Sequence, residues 1–323
     1  MKILVTGAGG FIGSHLVEYL LQRDHEVVAF VRYNSRNSWG WLETVPEMEK
    51  LSVYSGDIRD LDSVKDAMKD VDVVFHLAAL IGIPYSYVSP LAYIKTNVEG
   101  TYNVLQSARE SGTERVIHTS TSEIYGTAQY VPIDEKHPVN PQSPYAATKS
   151  AADQLAISYY RSFGLPVSVI RPFNTFGPRQ SARAVIPTII TQILSGKTTI
   201  KLGNLDATRD MNYVNNTVDG FYEAGLHENS PGEILNLGSN REISIGDLVK
   251  LIGDIMKVNV NVEIDNKRLR PGKSEVERLL CSSEKVFELT GWKSEISLEE
   301  GLTKTATWIK ENLKSYKPEI YNV

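Results

Sequence analysis

The chain has 323 residues, of which 41% are hydrophobic and 23% charged, and its formal net charge at pH 7 is -5. These values predict a globular enzyme with a large core, and the negative charge argues against an electrostatic nucleic-acid or membrane-surface binder. The one cysteine, Cys281, cannot form an internal disulfide, and no apolar run approaches the roughly 18 residues of a membrane span. We therefore expect a cytoplasmic protein. The six histidines are scattered, so no metal site is predicted.

The amino terminus carries a pattern typical of nucleotide binding. Lys2 to Thr6 predicts a strand, and three glycines spaced three residues apart follow it before apolar residues recur at helical spacing. Such glycines let the backbone turn tightly and approach a pyrophosphate, which binds the free amides at the start of the helix. A dinucleotide site is therefore predicted at Gly7, Gly10, Phe11, Ile12 and Gly13.

The end of the second predicted strand, Glu26 to Val31, bears on which dinucleotide binds. An acidic residue there would bind the adenosine ribose hydroxyls, but this chain continues into two arginines and has no carboxylate at that point. Guanidinium groups pair with phosphate through charge-assisted hydrogen bonds, so a 2′-phosphate and hence NADP is favoured over NAD. The predicted contacts are Arg32, Asn34, Ser35 and Arg36; the alternative is that both arginines are simply solvated.

Further cofactor contacts are predicted at the ends of the next two strands. After Leu51 to Tyr54, Asp57 could contact the adenine amine or cap the following helix, with Ile58 beside it. Val71 to Leu77 is a near-continuous apolar strand of the kind that is buried on both faces of a parallel sheet. Small residues after it would let a cofactor lie against the backbone. The predicted contacts here are Leu77, Ala78, Ala79 and Asn97, the last of which precedes a helix running through Val104.

Strand and helix patterns continue to alternate along the chain. They predict strands at Val116–Ser120 and Val167–Ile170, a helix at Ala146–Ser162, and an irregular proline-containing segment at 131–144. Beyond residue 172 they predict helices at Val185–Ser195, Ile245–Met256 and Leu298–Leu313. Two further strands, Met211–Val214 and Ile234–Leu237, are predicted to return to the sheet.

These elements predict an α/β protein with a doubly wound parallel sheet and a smaller, discontinuous carboxyl-terminal substrate lobe. The dinucleotide-binding domain would comprise residues 1–172 with returns near 211–238, and the lobe residues 173–210 and 239–323. Three arginines in loop contexts, Arg179, Arg209 and Arg270, could clamp a second pyrophosphate, although any one of them could instead be solvated.

Two short stretches carry the predicted chemistry. Thr121-Ser122-Glu123 follows the strand ending at Ser120, and open α/β sheets bind ligands at the carboxyl ends of their strands. Tyr145 and Lys149 lie one helical turn apart soon afterwards. A free phenol titrates near 10, so a cation one turn away is needed to make a tyrosine a base at neutral pH.

Together, Gly7-x-x-Gly10-x-x-Gly13, Tyr145-x-x-x-Lys149 and Arg171-Pro-Phe-Asn174 resemble the extended short-chain dehydrogenase/reductase family that acts on nucleotide sugars, also known as the NAD-dependent epimerase/dehydratase family. The resemblance spans essentially the whole chain. It implies a Rossmann fold, a substrate site that includes Asn174, and a homodimer built through the helices after Asn97 and around Lys149. It also implies that Tyr145 deprotonates a sugar hydroxyl while Lys149 lowers its pKa and holds the nicotinamide ribose.

Glu123 separates the reactions of that family. A C4-epimerase needs only hydride removal and return, whereas in the 4,6-dehydratases the matching glutamate removes the C5 proton. The resemblance therefore implies an NDP-sugar 4,6-dehydratase, with Thr121 bonded to the C4 oxygen. Ser122 stands where some dehydratases carry an aspartic acid that protonates the departing hydroxyl, so the acid stays open. The same Thr-Ser-Glu sequence occurs in UDP-glucuronate decarboxylases, which are the main alternative; a C4-epimerase is the next.

Other stretches are similar to a narrower group. Tyr33-Asn-Ser35, Trp39-Gly-Trp41 and Arg270-Pro-Gly-Lys-Ser-Glu275 resemble the dehydratases that begin legionaminic-acid-type pathways from a nucleotide-linked N-acetylglucosamine. This implies an N-acetylglucosamine nucleotide as substrate. Asn215-Asn216 departs from the acidic residues that the family often shows there.

Overall fold

The computed structural model describes residues 1–46 and 49–318, which form a parallel sheet between two layers of helices and a second, smaller group of strands. The strands are β1 (Lys2–Thr6), β2 (Glu26–Arg32), β3 (Leu51–Gly56), β4 (Val73–His76), β5 (Arg115–Thr119), β6 (Val167–Pro172), β7 (Asn174–Phe176), β8 (Thr199–Leu202), β9 (Thr208–Tyr213), β10 (Ile234–Leu237), β11 (Glu242–Ser244), β12 (Asn261–Ile264) and β13 (Arg278–Leu279).

The helices connect these strands in the alternating order that the sequence predicts. They are α1 (Phe11–Leu21), α2 (Leu61–Ala67), α3 (Ile83–Val88), α4 (Pro90–Tyr93), α5 (Gly100–Ser111), α6 (Pro144–Phe163), α7 (Val185–Leu194), α8 (Val214–Leu226), α9 (Ile245–Met256), α10 (Glu284–Thr290) and α11 (Leu298–Glu311). Short 3₁₀ segments follow β2 at Gly40–Thr44 and β5 at Ser122–Tyr125.

The central sheet has seven strands in the order β10-β6-β5-β4-β1-β2-β3, and every neighbouring pair is parallel. The chain winds outward from β1 in one direction through β2 and β3, and in the other through β4, β5 and β6. The direction reverses at β1 and β4, and ligands of open α/β sheets bind at such a reversal. The doubly wound sheet predicted from the sequence is confirmed.

Apolar side chains of the strands alternate between the two faces, and this alternation builds a core on each side. Ile3 and Val5 pack in the core that contains Leu16 of α1, whereas Leu4 packs in the core that contains Val104 of α5 and Ala156 of α6. Because helices cover both faces of the sheet, β1 and β4 consist of nearly continuous apolar residues.

The smaller lobe differs from the prediction in one respect. Met211–Val214 was expected to rejoin the central sheet, and this is wrong: β9 pairs with β7, β11 and β13 outside that sheet. The free edge of β6 is occupied instead by β10, as expected for Ile234–Leu237. A second small pair, β8 with β12, completes the lobe. The domain boundaries given above stay a prediction.

The helix expected to begin after Asn97 starts earlier. A continuous helical run begins at Pro90 and passes through a π-helical turn, Ile94–Glu99, before α5. Asn97 is therefore inside the helix, and its side chain is buried and faces the loop after β4.

Two features are absent from residues 1–46 and 49–318. In that part of the chain, no helix is both long and apolar enough to cross a bilayer. The same residues contain no cluster of three or more histidine, cysteine, aspartate or glutamate side chains suited to hold a metal ion.

The glycine turn gives the first testable prediction. A methyl group on Gly13 would overlap the carbonyl oxygen of Gly7, so the strand, the turn and α1 could not keep their present approach. We expect Gly13→Ala to lower the free energy of unfolding by about 1–3 kcal/mol, as overpacking does elsewhere. The measurement is the midpoint of urea denaturation. Gly272→Ala is the control, because a methyl group there meets no atom within 4 Å. Equal stability of the two variants would contradict the close approach.

Candidate active site

The glycine turn lies where β1 ends and α1 begins. Gly7 has a φ of 72°, a conformation that favours glycine, and a methyl group there would lie 2.9 Å from the backbone nitrogen of Ala78. Phe11 and Ile12 open α1, and no side chain caps its amino terminus. The backbone amides and the positive end of the helix dipole are therefore available to an anion, and the crowded glycines leave the backbone open to a pyrophosphate. These residues fit a dinucleotide.

The end of β2 presents the predicted arginines to solvent. Arg32 and Arg36 are exposed, and the side chain of Asn34 donates hydrogen bonds to the carbonyl oxygens of Arg32 and Ser38. Asn34 Oδ1 in turn accepts a bond from the amide of Arg36, with Ser35 between them in the same loop. Asn34 thus shapes the loop while leaving both guanidinium groups free to point outward.

The same loop folds back over the glycine turn. The Trp41 amide donates a hydrogen bond to the Gly9 carbonyl oxygen, and a methyl group on Gly9 would crowd the backbone of Trp39. The Trp41 ring meets Trp308 of α11 edge to face, with 5.3 Å between ring centroids. The tryptophan motif seen in the sequence therefore links the predicted cofactor site to the final helix.

Asp57 and Ile58 follow the carboxyl end of β3. Asp57 forms a bidentate ion pair with Arg59, at 2.9 and 2.5 Å, and this pair lowers the pKa of Asp57 to about 2. Asp57 does not cap α2; that role belongs to Asp60, which accepts a bond from the amide of Asp62. Ile58 is buried, and its carbonyl oxygen accepts a bond from Asn103.

The loop after β4 is held from two sides. Thr6 Oγ1 accepts hydrogen bonds from the amides of Leu77 and Ala78, both at 3.1 Å. Beyond Ala79, the side chain of Asn97 bonds to both the amide and the carbonyl oxygen of Leu80. The loop is thereby fixed beside Gly7. Asn97 also donates to Thr148 Oγ1, so its contacts are structural links between this loop and α6.

The predicted catalytic residues come from β5 and α6. Ser143 caps α6 by accepting a bond from the amide of Ala146, and Pro144 takes the first helical position, so Tyr145 lies in the first turn. Lys149 lies one turn later, and its ammonium donates a 2.6 Å hydrogen bond to the Thr119 carbonyl oxygen at the end of β5. The lysine thus joins the strand that delivers the Thr-Ser-Glu sequence.

Thr121, Ser122 and Glu123 are all buried at the start of the 3₁₀ segment after β5. Thr121 begins this segment, and its hydroxyl accepts a bond from the Glu123 amide. Burial raises the pKa of Tyr145, a hydrogen bond with Thr121 opposes that shift, and the charge of Glu123 adds to it. The structure therefore brings these residues together around the phenol.

Burial has the opposite effect on the lysine. Desolvation lowers the pKa of Lys149 to about 8, although the carboxylate of Asp153 opposes the shift. An ammonium whose pKa is close to neutral loses its charge within a range that activity measurements can reach. The Tyr145 and Lys149 pair is thus sensitive to pH.

Glu123 faces a cluster of charges from the smaller lobe. Arg270 Nη1 lies 3.9 Å from Glu123 and 3.8 Å from Glu275, and Arg209 Nη2 lies 3.4 Å from Glu275. Arg209 is 6% exposed, so its charge is held away from water. Among the described residues, Arg270 Nη1 has no hydrogen-bond partner. The predicted arginines Arg209 and Arg270 therefore lie beside the predicted catalytic carboxylate.

The other two predicted substrate contacts have different surroundings. Arg179, which has a φ of 68°, forms a bidentate ion pair with Glu18 of α1 at 2.8 and 2.9 Å and does not share the cluster of Arg209 and Arg270. Asn174 begins β7, and its Oδ1 atom is buried without a partner among the described residues. That oxygen is an acceptor left for a ligand.

Two further side chains at the site were not found from the sequence. Tyr93 is buried against Tyr145, with 6.3 Å between ring centroids, and Arg183 approaches Tyr93 and Gly82. Tyr93 has no sequence signal of its own, because its packing depends on how α4 lies against α6. Arg183 could be picked out only as one more loop arginine.

Comparison with known proteins agrees with this geometry. The family model described as GDP-mannose 4,6 dehydratase matches residues 4–305. A dTDP-glucose 4,6-dehydratase of Streptomyces antibioticus is 32% identical over 322 residues, which cover 98% of this chain and 95% of that protein. A putative UDP-glucose 4-epimerase of Methanocaldococcus jannaschii is 33% identical over 315 residues, with 96% and 99% covered.

The structural comparison points the same way. The crystal structure of DesIV, a dTDP-glucose 4,6-dehydratase from Streptomyces venezuelae with NAD and TYD bound, has a TM-score of 0.89 and 30% identity, and the match covers 98% of this chain and 99% of that one. The fold, the residues matched and the two relatives together show that this chain belongs to the GDP-mannose 4,6 dehydratase family.

Proposed function

We propose that the protein is an NDP-sugar 4,6-dehydratase that uses a nicotinamide dinucleotide. The observation that carries the proposal is the buried carboxylate of Glu123 beside Tyr145. A dehydratase must remove a proton from carbon as well as from oxygen, and two separate proton acceptors meet this need.

Each residue has a defined task in this reaction. A nicotinamide dinucleotide held at the glycine turn of Gly7, Gly10 and Gly13 would supply the hydride acceptor for C4 and the hydride donor for C6. Tyr145 removes the proton of the C4 hydroxyl, the ammonium of Lys149 stabilises the phenolate, and Thr121 holds the C4 oxygen. Oxidation at C4 acidifies the C5–H bond, so that Glu123 can take that proton while water leaves from C6.

The leaving hydroxyl needs an acid, and Ser122 is not one at neutral pH. After it has taken the C5 proton, Glu123 is a carboxylic acid at the same place and can pass that proton to the departing oxygen. The carboxylate thus serves both steps and is ionised again. Return of the hydride to C6 requires a proton at C5, which balances the proton that Tyr145 took from the C4 hydroxyl, so both residues end the turnover as they began it. The low exposure of Glu123 favours transfer to the departing oxygen over exchange with water.

The charged cluster accounts for the nucleotide part of the substrate. Arg209 and Arg270 would bind the diphosphate, Asn174 would supply the buried acceptor, and Arg179 would contribute from the loop after β7, where it pairs with Glu18 of α1. A nucleotide-linked N-acetylglucosamine is the proposed sugar, and this step rests on the resemblance of the Tyr33, Trp39 and Arg270 motifs. The base is left for the experiment to identify.

One observation favours a second candidate. A UDP-glucuronate decarboxylase needs a cation near the sugar, and Arg270 lies 3.9 Å from Glu123. The two reactions share oxidation at C4 and differ in what leaves afterwards. Release of carbon dioxide from UDP-glucuronate would identify the decarboxylase, and recovery of a C4 epimer alone would identify the epimerase.

The first test is turnover of nucleotide sugars. We expect the protein with NAD or NADP to convert a nucleotide-linked N-acetylglucosamine to a product lighter by one water, as measured by mass spectrometry. Glu123→Gln should lower kcat by about 10²-fold or more, the scale of a lost proton transfer. Hydride transfer from C4 should persist in this variant, because it does not require the carboxylate.

The control is Glu300→Gln, which alters an exposed carboxylate on α11. It should leave kcat unchanged. Full water elimination by Glu123→Gln would contradict the role given to Glu123, and no loss of water from any nucleotide sugar would contradict the proposed activity.

The NADP preference is a separate proposal. It is supported by Arg32 and Arg36, which are exposed at and after the end of β2. An NAD-binding chain would carry an acidic residue where this chain has Arg32. We expect Arg32→Ala to weaken NADP binding by about tenfold, the effect of one charge-assisted contact, and to change NAD binding little. Calorimetric titration of both dinucleotides measures this. Arg59→Ala is the comparison, since Arg59 is already paired with Asp57. Equal losses for NAD and NADP in Arg32→Ala would remove the basis for NADP.

A homodimer is also proposed, on the basis of an apolar surface formed by two helices. Leu91 and Ile94 are 60% and 50% exposed, and Ala147 and Ala151 are exposed on α6, where small residues allow a close approach of a second helix. Apolar side chains grouped in this way mark interaction surfaces.

Sedimentation tests this surface. Ala151→Arg should convert a dimer to a monomer at micromolar concentration, because it places a charge in an apolar contact. Thr307→Arg, on the exposed face of α11, should leave the dimer intact. A wild-type protein that sediments as a monomer would contradict the proposal.

A further inference from the structure

Asp153 continues the face of α6 that carries the proposed catalytic pair. It follows Tyr145 by eight residues and Lys149 by four, so the three side chains share one side of the helix. Its exposure is 0%. Burial of an ionised carboxylate is energetically costly unless the carboxylate is paired. Asp153 is the third ionisable group, after Tyr145 and Lys149, on this face of α6.

The partners of Asp153 come from β5 and β6. Ser120 Oγ donates a 2.8 Å hydrogen bond to Asp153 Oδ2, and Arg171 Nε and Nη2 lie 3.1 Å from the same oxygen. His118 Nε2 lies 3.3 Å from Oδ1. Burial alone would raise the pKa of Asp153, but His118 and Arg171 outweigh it and keep the carboxyl ionised.

These contacts fix the end of the strand that Lys149 uses. His118 and Ser120 flank Thr119, whose carbonyl oxygen accepts the ammonium hydrogen bond at 2.6 Å. Thr121 comes next and touches Tyr145. Asp153 therefore holds Ser120 by a hydrogen bond and lies 3.3 Å from His118, so it constrains the strand end on which the Thr119 carbonyl oxygen lies.

The charge of Lys149 interacts with groups on three elements: Asp153 on α6, His118 on β5 and His76 on β4. Arg171 on β6 pairs with Asp153. Burial lowers the pKa of both histidines, and the charge of Lys149 lowers them further, so both are neutral near pH 7. The negative charge that acts on the buried ammonium of Lys149 is then that of Asp153.

We infer that Asp153 is a positioning residue for the proposed reaction: it keeps the Lys149 ammonium charged and fixes the Thr119 carbonyl oxygen to which that ammonium is bound. The inference rests on the proposed role of Tyr145 and Lys149 in oxidation at C4. It does not depend on which later step follows, because dehydratase, decarboxylase and epimerase all begin with that oxidation.

The sign of the expected pH effect follows from the charge. The carboxylate of Asp153 raises the pKa of Lys149 and that of Tyr145. Loss of the negative charge therefore lowers both pKa values. The rate of hydride transfer requires ionised Tyr145 and protonated Lys149, so its pH profile should move to lower pH.

The experiment measures single-turnover hydride transfer from a nucleotide sugar, by the absorbance of reduced nicotinamide, across a pH series. Burial raises the pKa of Tyr145 above its usual value near 10, whereas that of Lys149 is about 8, so the form with ionised Tyr145 and protonated Lys149 increases up to about pH 8 and then levels off. In the wild-type protein we therefore expect the rate to rise with pH to a plateau that begins near pH 8. Asp153→Asn should move this break to lower pH by about one unit, the smaller end of the effect of a nearby opposite charge. Asp153→Glu keeps the charge and should keep the break near its wild-type position.

A structural role alone would give a different result. It would lower the rate of Asp153→Asn equally at every pH, and a profile of unchanged shape would overturn the inference. Removing one partner of a buried ion pair is strongly destabilising, whereas removing both costs less. If Asp153→Asn does not fold, the double variant Asp153→Asn with Arg171→Gln serves as the test. The shift should keep its direction but be smaller, because the cation of Arg171 is removed together with the carboxylate, and an unchanged profile again overturns the inference. Normal hydride transfer without loss of water would contradict the proposed dehydratase and leave this test intact.

Discussion

The burial of one ammonium group organises the candidate active site. Lys149 is 4% exposed, and a buried cation needs both a hydrogen-bond acceptor and a counter-charge. The Thr119 carbonyl oxygen supplies the first and Asp153 the second. The end of β5 is thereby locked to α6, which sets where Thr121, Ser122 and Glu123 emerge.

The glycine turn imposes a second constraint, at the carboxyl end of β1. Gly7 and Gly13 allow α1 to start close to the end of β1, and Thr6 fixes the loop after β4 beside them. The two constraints act on strands that are close in the sheet, because β4 lies between β1 and β5. A dinucleotide bound along the strand ends would therefore pass from the free amides of α1 to the phenol of Tyr145.

Local pattern was sufficient for much of the fold and for the residues on its strand ends. The apolar runs of β1 and β4, the glycine spacing and the Tyr145 to Lys149 spacing are all properties of short segments, and each element formed near its expected place. The sheet to which β9 belongs was not predictable in this way. The apolar side chains within Met211–Val214 indicate a buried strand, but they do not indicate which strand is its neighbour. Here β10 occupies the edge of β6, and β9 pairs with β7 instead.

Long-range partners of charged side chains were also beyond the sequence. Asp153 lies at a regular helical spacing from Lys149, so its face could be predicted, but its pairing with Arg171 and His118 required the strand order β6-β5. Glu275 belonged to a motif similar to one group of dehydratases, but its ion pairs with Arg209 and Arg270 could not be predicted, since a glutamate in a loop is ordinarily solvated. Arg209 and Arg270 were expected at the diphosphate, and their position beside Glu123 became visible only when β9 and the loop after β12 were brought together.

The distance between Glu123 and Arg270 explains how one carboxylate can coexist with a cation and still act as a base. At 3.9 Å the two groups attract each other but are too far apart for a direct hydrogen bond. A carboxylate bonded directly to a guanidinium would have its basicity reduced and its lone pairs occupied. Here the lone pairs of Glu123 are not used by Arg270, and Arg270 Nη1 keeps its donor capacity within the described part of the chain. Glu275 and Arg209 take the closer contact at 3.4 Å, so the cluster is balanced mainly by that pair. The separation thus leaves both the Glu123 carboxylate and the Arg270 guanidinium able to bond to a ligand, as the proposed reaction requires.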